Sequence, residues 1–159
     1  MEDSPIETIE KFRIFWKNYI FQSFLAVLTM FLVLSFLSLE HVAIIASIGA
    51  TAFIVFAMPK NLTAKPRNVI GGHLVGLISG FLCTLIPHPS FSAISYPFAV
   101  GLSIFIMVAT DTEHPPASGT ALDVAVTGFS LDVVTATMTS AILLSLAHHF
   151  LEPYLKDLV

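Results

Sequence analysis

The chain has 159 residues, 55% hydrophobic and only 11% charged, with mean hydropathy +0.85 and formal net charge −4. Soluble domains carry about 25% charged residues, so a water-soluble globule of this single-domain length is excluded, whereas lipid accepts an apolar surface. The 7 lysines and arginines are too few for a phosphate footprint, which excludes nucleic acid as a partner, and the lone Cys83 excludes an intrachain disulfide or a cysteine metal framework.

Ser4-Pro5-Ile6-Glu7 has the form of a helix start, with a capping serine, a proline at the first helical position and a glutamate completing a capping box. Ile9, Phe12, Phe15, Trp16 and Tyr19 then share one helical stripe, with Glu10, Lys11, Arg13 and Lys17 mostly elsewhere. This pattern predicts a cytoplasmic interfacial helix over 1–18. Tyr19 to Leu39 has no charged residue and reaches the roughly 20 residues a span needs. It is too long for the apolar core of a cleavable signal and is expected to be a retained first span.

Glu40-His41 separates this run from a second, Val42 to Met58, whose centre is made of small residues. Pro59 to Asn68 is a polar loop with Lys60, Lys65 and Arg67, and Asn68 is placed to cap a third helix, Val69 to Ile86. Gly72, Gly76 and Gly80 give that helix a smooth face for close packing. Pro87-His88-Pro89 ends it, and a fourth span is expected over Tyr96 to Thr110. Ala121 to Phe129 is too short to cross alone, and Val133 to Phe150 is the last span. The two basic clusters lie two spans apart and so on one face, which the positive-inside rule makes cytoplasmic. Five full spans would leave the tail outside.

Between the fourth span and Ala121 lies Asp111-Thr112-Glu113-His114-Pro115-Pro116-Ala117-Ser118-Gly119-Thr120. Two adjacent prolines push the residue before each out of the α region, so a helix can begin at Pro116 and not earlier. The N–H groups of Ala117, Ser118 and Gly119, with the hydroxyls of Ser118 and Thr120, would then form a bare helix N-terminus that attracts an anion.

Glu113-His114-Pro115-Pro116-Ala117 resembles the signature of the HPP family of integral membrane proteins. Ile45-Ala46-Ser47-Ile48-Gly49-Ala50-Thr51-Ala52 is similar to that family's second motif, and Pro66-Arg67-Asn68-Val69-Ile70-Gly71-Gly72-His73 to its third. Gly119-Thr120-Ala121 completes the signature region. The resemblance runs from about Ile20 to Phe150 and implies four membrane helices and transport of a small anion, nitrite being the role attached to the family.

The expectation is therefore an all-α membrane protein: a compact bundle of four to five transmembrane helices, with a re-entrant or broken segment at the His-Pro-Pro loop. Residues 19–152 form one transmembrane domain and 153–159 a short tail. The function is transport of a small inorganic anion, nitrite for preference, by a channel or carrier in the plasma or inner membrane. Substrate contacts fall to His114, Ala117, Ser118, Gly119, Thr120, Thr51 and His73. Asp111 and Glu113 would repel an anion at close range, so they pair with Arg67 or Lys65, carry protons, or mark a cation route instead. No enzymatic step, cofactor or metal is expected, and Glu113-His114 lacks the second histidine a zincin helix needs. Small-residue faces invite a homo-oligomer. The alternatives are a proton or cation pathway through Asp111, Glu113 and His114, and a non-transporting scaffold or sensor. Gly49-Ala50-Thr51-Ala52 and Gly119-Thr120-Ala121 are faintly alike, as two broken helices meeting at the midplane would be. Asp123 and Asp132 read as helix caps, and His88, His148 and His149 as interfacial.

Overall fold

A computed structural model describes residues 5–36, 42–86 and 92–159. Among these residues all regular structure is helical. The helices are α1 (Pro5–Phe36), α2 (Val42–Ala57), α3 (Pro66–Thr84), α4 (Ser92–Thr110), α5 (Pro116–Thr127) and α6 (Leu131–Leu151). Single 3-10 turns stand at Leu62–Ala64 and Glu152–Tyr154. The helical class agrees with the sequence. The short helix α5 starts at Pro116 as expected, although Pro115 before it is itself in the α region, at φ −51° and ψ −39°. The capping box at Ser4, the break at Glu40-His41 and the Pro87-His88-Pro89 segment lie outside the described residues.

Several boundaries differ from the apolar runs, for local reasons. α1 passes unbroken through residue 18, so the interfacial segment and the first span share one rod of 32 residues. Among the described residues its candidate apolar span is Arg13–Val33, which overlaps the expected Tyr19 to Leu39. α3 starts at Pro66, whose missing N–H costs nothing in a first turn, with Lys65 as the N-cap. Asn68 is therefore not a cap; it sits in the first turn and donates from Nδ2 to the carbonyl of Glu113 at 3.1 Å. α4 begins at Ser92, which leaves Pro97 inside the helix rather than at its start. Ser130 caps α6, its hydroxyl accepting from the Val133 N–H at 3.2 Å. Asp132 lies in the first turn of α6, whereas Asp123 is in the body of α5 and buried, not a cap.

α5 lies along the glycine face of α3. A Cβ on Gly72 would stand 2.6 Å from His114 Cβ, one on Gly76 would meet the carbonyl oxygen of Ala117, and one on Gly80 would stand 2.6 Å from Val124 Cβ. Contact points advance along both helices together, so α3 and α5 run parallel with backbones almost touching. Gly128, at φ 95°, ends α5 in a region that side chains avoid.

Val33, Ile48, Val55, Phe56, Val69, Leu77, Val124, Val133 and Leu144 form a buried cluster joining α1, α2, α3, α5 and α6. The tail returns to this bundle. Gln22 Nε2 donates to the carbonyls of Phe56 and Lys156, and its Oε1 accepts from the Lys156 N–H at 3.0 Å. The Leu158 N–H donates to the Ala57 carbonyl at 2.9 Å, and the Lys60 N–H to Asp157 Oδ1 at 3.2 Å. The tail, the early part of α1 and the α2–α3 loop thus share one end of the bundle. Five full crossings would have separated tail and loop, which the fold instead brings together.

Many polar side chains are turned inward and most of the described phenylalanines outward. Gln22, Ser47, Thr51, His73, His114, Thr120 and Asp123 are buried, while Phe24, Phe31, Phe98, Phe105 and Phe150 are exposed. An apolar rind of this extent has no place in water.

Candidate functional site

Thr110 ends α4, and Asp111 follows with φ 59°, the left-handed conformation that closes a helix. The Asp111 N–H then reaches the Val108 carbonyl at 3.4 Å and the Thr112 N–H the Met107 carbonyl at 2.9 Å, the two bonds of a Schellman ending. Aspartate tolerates this backbone better than most side chains do. The chain then runs back along α3, where Gly71 and Gly72 leave room for Thr112 and His114. This close approach lets His114 project into the bundle instead of outward.

His114 Nδ1 lies 2.8 Å from the carbonyl of Thr63, and its Nε2 lies 2.9 Å from Thr51 Oγ1 on α2. The same hydroxyl is 3.0 Å from His73 Nε2 on α3. His73 Nδ1 is 2.9 Å from Thr120 Oγ1 on α5, and Thr120 is 3.0 Å from Ser47 Oγ. Ser47 Oγ also lies 2.6 Å from the Pro116 carbonyl, and Thr51 Oγ1 lies 3.0 Å from the Ser47 carbonyl. The two imidazoles are 5.1 Å apart between centroids and both are fully buried. Five side chains from α2, α3, α5 and the α4–α5 connection thus make one continuous polar chain. Asn61 secures its loop end by accepting from the Thr63 N–H at 3.0 Å, which fixes the 3-10 turn carrying the Thr63 carbonyl.

Thr51, His73, His114 and Thr120 therefore come together as their motifs suggest. The other three residues expected to touch substrate do not join them. Ala117 is buried against Gly72 and Gly76. Ser118 faces α4, 3.3 Å from Ser103 Oγ. Gly119 is exposed in the wall of a groove of about 540 Å³ between α2 and α5, lined also by Ala46, Ser47, Ala50 and Asp123. The helix N-terminus is not bare either. The Ala117 N–H donates to the His114 carbonyl at 2.9 Å and the Ser118 N–H to the Pro115 carbonyl at 3.1 Å, because the first turn closes tightly after the prolines.

The carboxylates separate. Asp111 Oδ2 pairs with Arg67 Nη1 at 3.7 Å, with side chains 83% and 65% exposed. Arg67 Nη2 also donates to the Thr110 carbonyl at 3.1 Å. Glu113 contributes its carbonyl to Asn68 and is half-buried. Ser47 and Thr63 belong to the polar chain without having been singled out by sequence. For Ser47 a signal existed: it precedes Thr51 by one helical turn and so shares its face. The Thr63 carbonyl carries no sequence signal at all. Gly119 and Thr120 reach α2 at Ser47, just before Gly49-Ala50-Thr51-Ala52, and α2 is continuous through that segment and not broken. His148 is buried with Nε2 2.8 Å from the Pro59 carbonyl, whereas His149 is exposed. Among the described residues no three of His, Cys, Asp and Glu gather to hold a metal ion.

A helical bundle with polar groups inside and an apolar rind is the architecture of an integral membrane protein. The chain belongs to the HPP transmembrane region family, whose profile matches residues 8–153. It is also similar to two transmembrane proteins of Dictyostelium discoideum. One is 37% identical over 81 residues, covering 50% of this chain and 28% of that protein. The other is 33% identical over 85 residues, covering 52% of this chain and 27% of that protein. The matched stretch is less than a third of either relative's length. No solved structure matches the chain.

Proposed function

We propose that the protein moves a small inorganic anion across the membrane, nitrite for preference, and that the Ser47–Thr51–His73–His114–Thr120 chain is where the solute is recognised. The observation that carries this reading is the burial of two imidazoles and three hydroxyls, from four parts of the fold, inside an otherwise apolar bundle. Ionisable side chains inside a membrane are costly and mark function by default. Hydroxyl and imidazole donors solvate a small anion without a fixed positive charge. Asp111 supports the anion over a cation, since it is turned outward to Arg67. Asp123 favours the rival proton or cation route, because this buried carboxylate borders the groove beside Ser47.

Six crossings fit the topology, with both termini on one side. All 7 lysines and arginines fall at that end: Lys11, Arg13 and Lys17 early in α1, Lys60, Lys65 and Arg67 around the α2–α3 loop, and Lys156 in the tail. The positive-inside rule makes that end cytoplasmic. The glycine face of α3 is taken up by α5, so self-association falls to the small-residue groove of Ala46, Ala50 and Gly119. Light scattering of the protein in mild detergent should read more than one copy; a strict monomer contradicts the oligomer.

The deciding experiment is nitrite uptake into proteoliposomes, with nitrate, chloride and formate as competitors and protein-free vesicles as the baseline, since nitrous acid crosses bare lipid. Saturable uptake lost in His114→Ala and Thr120→Val is the expected result. Uptake no faster than the baseline removes nitrite as the solute.

A further inference from the structure

The polar chain contains more hydrogen-bond contacts than its neutral side chains have protons to fill. Six contacts run in series from the Thr63 carbonyl through His114, Thr51, His73, Thr120 and Ser47 to the Pro116 carbonyl. Each neutral imidazole and each hydroxyl supplies one proton, so these five side chains supply five. Both ends of the series are carbonyl oxygens, which only accept. His114 Nδ1 must therefore carry hydrogen, and Ser47 must donate if its 2.6 Å contact is a hydrogen bond. One inner contact is then left with two acceptors facing each other. The Ser47 carbonyl, 3.0 Å from Thr51 Oγ1, is a further acceptor competing for the Thr51 proton.

One added proton removes the deficit of the series, with the Thr51 proton then given to His73 and not to the Ser47 carbonyl. With His114 doubly protonated, Nε2–H donates to Thr51, Thr51 to His73 Nε2, His73 Nδ1–H to Thr120, Thr120 to Ser47 and Ser47 to the Pro116 carbonyl. All six contacts are then filled. Transfer of the charge to His73 needs two coupled hops. The His114 Nε2–H bond breaks as its proton joins Thr51 Oγ1, while the original Thr51 proton leaves to form His73 Nε2–H. Every contact remains filled and no atom moves by more than a bond's length.

We infer that the His114–Thr51–His73 bridge is a proton-binding site that holds a single extra proton shared by the two imidazoles. Its two ends face different surroundings: the Thr63 end lies in the basic loop, and the Ser47 end borders the α2–α5 groove. A charge inside a bilayer is expensive, and spreading it over two rings and a filled chain offsets part of that cost. Few charged groups compete with the pair. α2 and α5 present the hydroxyls of Thr51, Ser47 and Thr120, with Asp123 one turn beyond Thr120 toward the groove. α6 presents His148, bonded to the Pro59 carbonyl. At the loop end stand Glu113, beside His114 in the chain, and the exposed Arg67–Asp111 pair. If the transport reading holds, this site couples the anion to a proton; proton binding itself does not depend on that reading.

The test is a titration of the full-length protein in detergent micelles, with 15N-labelled histidine and no solute present. Ring nitrogen shifts would be followed from about pH 8 to about pH 4.5, where imidazoles ordinarily exchange protons. His73→Gln and His114→Gln assign the two rings. The expected result is one proton taken up by the pair, with both rings shifting together. Thr51→Val should abolish the shared transition, and Thr51→Ser should restore it; circular dichroism and thermal melting establish that each variant is folded. Two rings that each gain a full proton independently, or two that gain none, overturn the inference. If Thr51→Val does not fold, the stoichiometry of the wild-type pair decides alone. Absence of nitrite uptake leaves this result intact, and a pair that takes up no proton leaves pH-independent nitrite uptake intact, so the two readings fail separately.

Discussion

Thr51 carries more of the site than any other residue. Its single hydroxyl contacts both imidazoles and the Ser47 carbonyl. Thr51→Val keeps shape and volume but strands two buried ring nitrogens. Leaving such groups unsatisfied costs about 1–3 kcal/mol, so the variant should melt measurably lower in detergent, and Thr51→Ser should recover most of the loss. A variant as stable as the parent would mean the network contributes nothing to the fold. Arg67 and Asp111 illustrate the opposite case. Their pair is largely exposed, and exposed pairs contribute about 0–1 kcal/mol. Asp111→Asn should leave the melting temperature nearly unchanged, because asparagine also accepts the left-handed backbone; a large drop would give the pair a structural weight its exposure argues against.

At the scale of the element, the α3–α5 contact positions the site. Gly76 faces the Ala117 carbonyl, part of a backbone that cannot step aside. Gly76→Ala should destabilise by about 1–3 kcal/mol, the usual cost of overpacking, and separate Thr120 from His73. Gly101→Ala is the contrast. Nothing lies within 4 Å of its added Cβ, so removing a flexible residue from a helix should stabilise by about 0.5–1 kcal/mol. Thermal melting of both variants, side by side, tests whether the glycines differ as the contacts say. Equal effects would remove the distinction. The glycine spacing announced a packing face in the sequence; which helix covers it was not legible there, because four-residue spacing fits any close neighbour.

For the whole molecule, tail and first helix are tied together. Gln22 bonds to α2 and to the tail at once, and Tyr19 donates to the Leu158 carbonyl at 3.1 Å. Single cysteines introduced as Lys17→Cys and Asp157→Cys, in a Cys83→Ser background, should react with an impermeant thiol reagent from the same face of sealed vesicles. Labelling from opposite faces would break the topology. The sequence left this open because it turns on α5. Twelve residues rise only about 18 Å against a hydrocarbon core of about 30 Å. The non-helical stretch before it also runs along α3, past Gly71 and Gly72, a contribution to its reach that is invisible to helix-length arithmetic.

Composition and local rules by themselves determined the helical class, the membrane setting and the helix start at Pro116, and the family resemblance singled out the motifs that supply Thr51, His73, His114 and Thr120. The first three follow from local rules: backbone groups in lipid must bond within their own helix, and proline constrains its own neighbourhood whatever surrounds it. Only the tertiary structure decided where the donors point. It closed the N–H groups of Ala117 and Ser118 onto nearby carbonyls, turned Ser118 toward α4, brought in Ser47 and the Thr63 carbonyl, and moved Asp111 away to Arg67. A hydrogen bond depends on position to within a fraction of an ångström, and that precision comes from helix against helix, here from α5 seated on the glycines of α3.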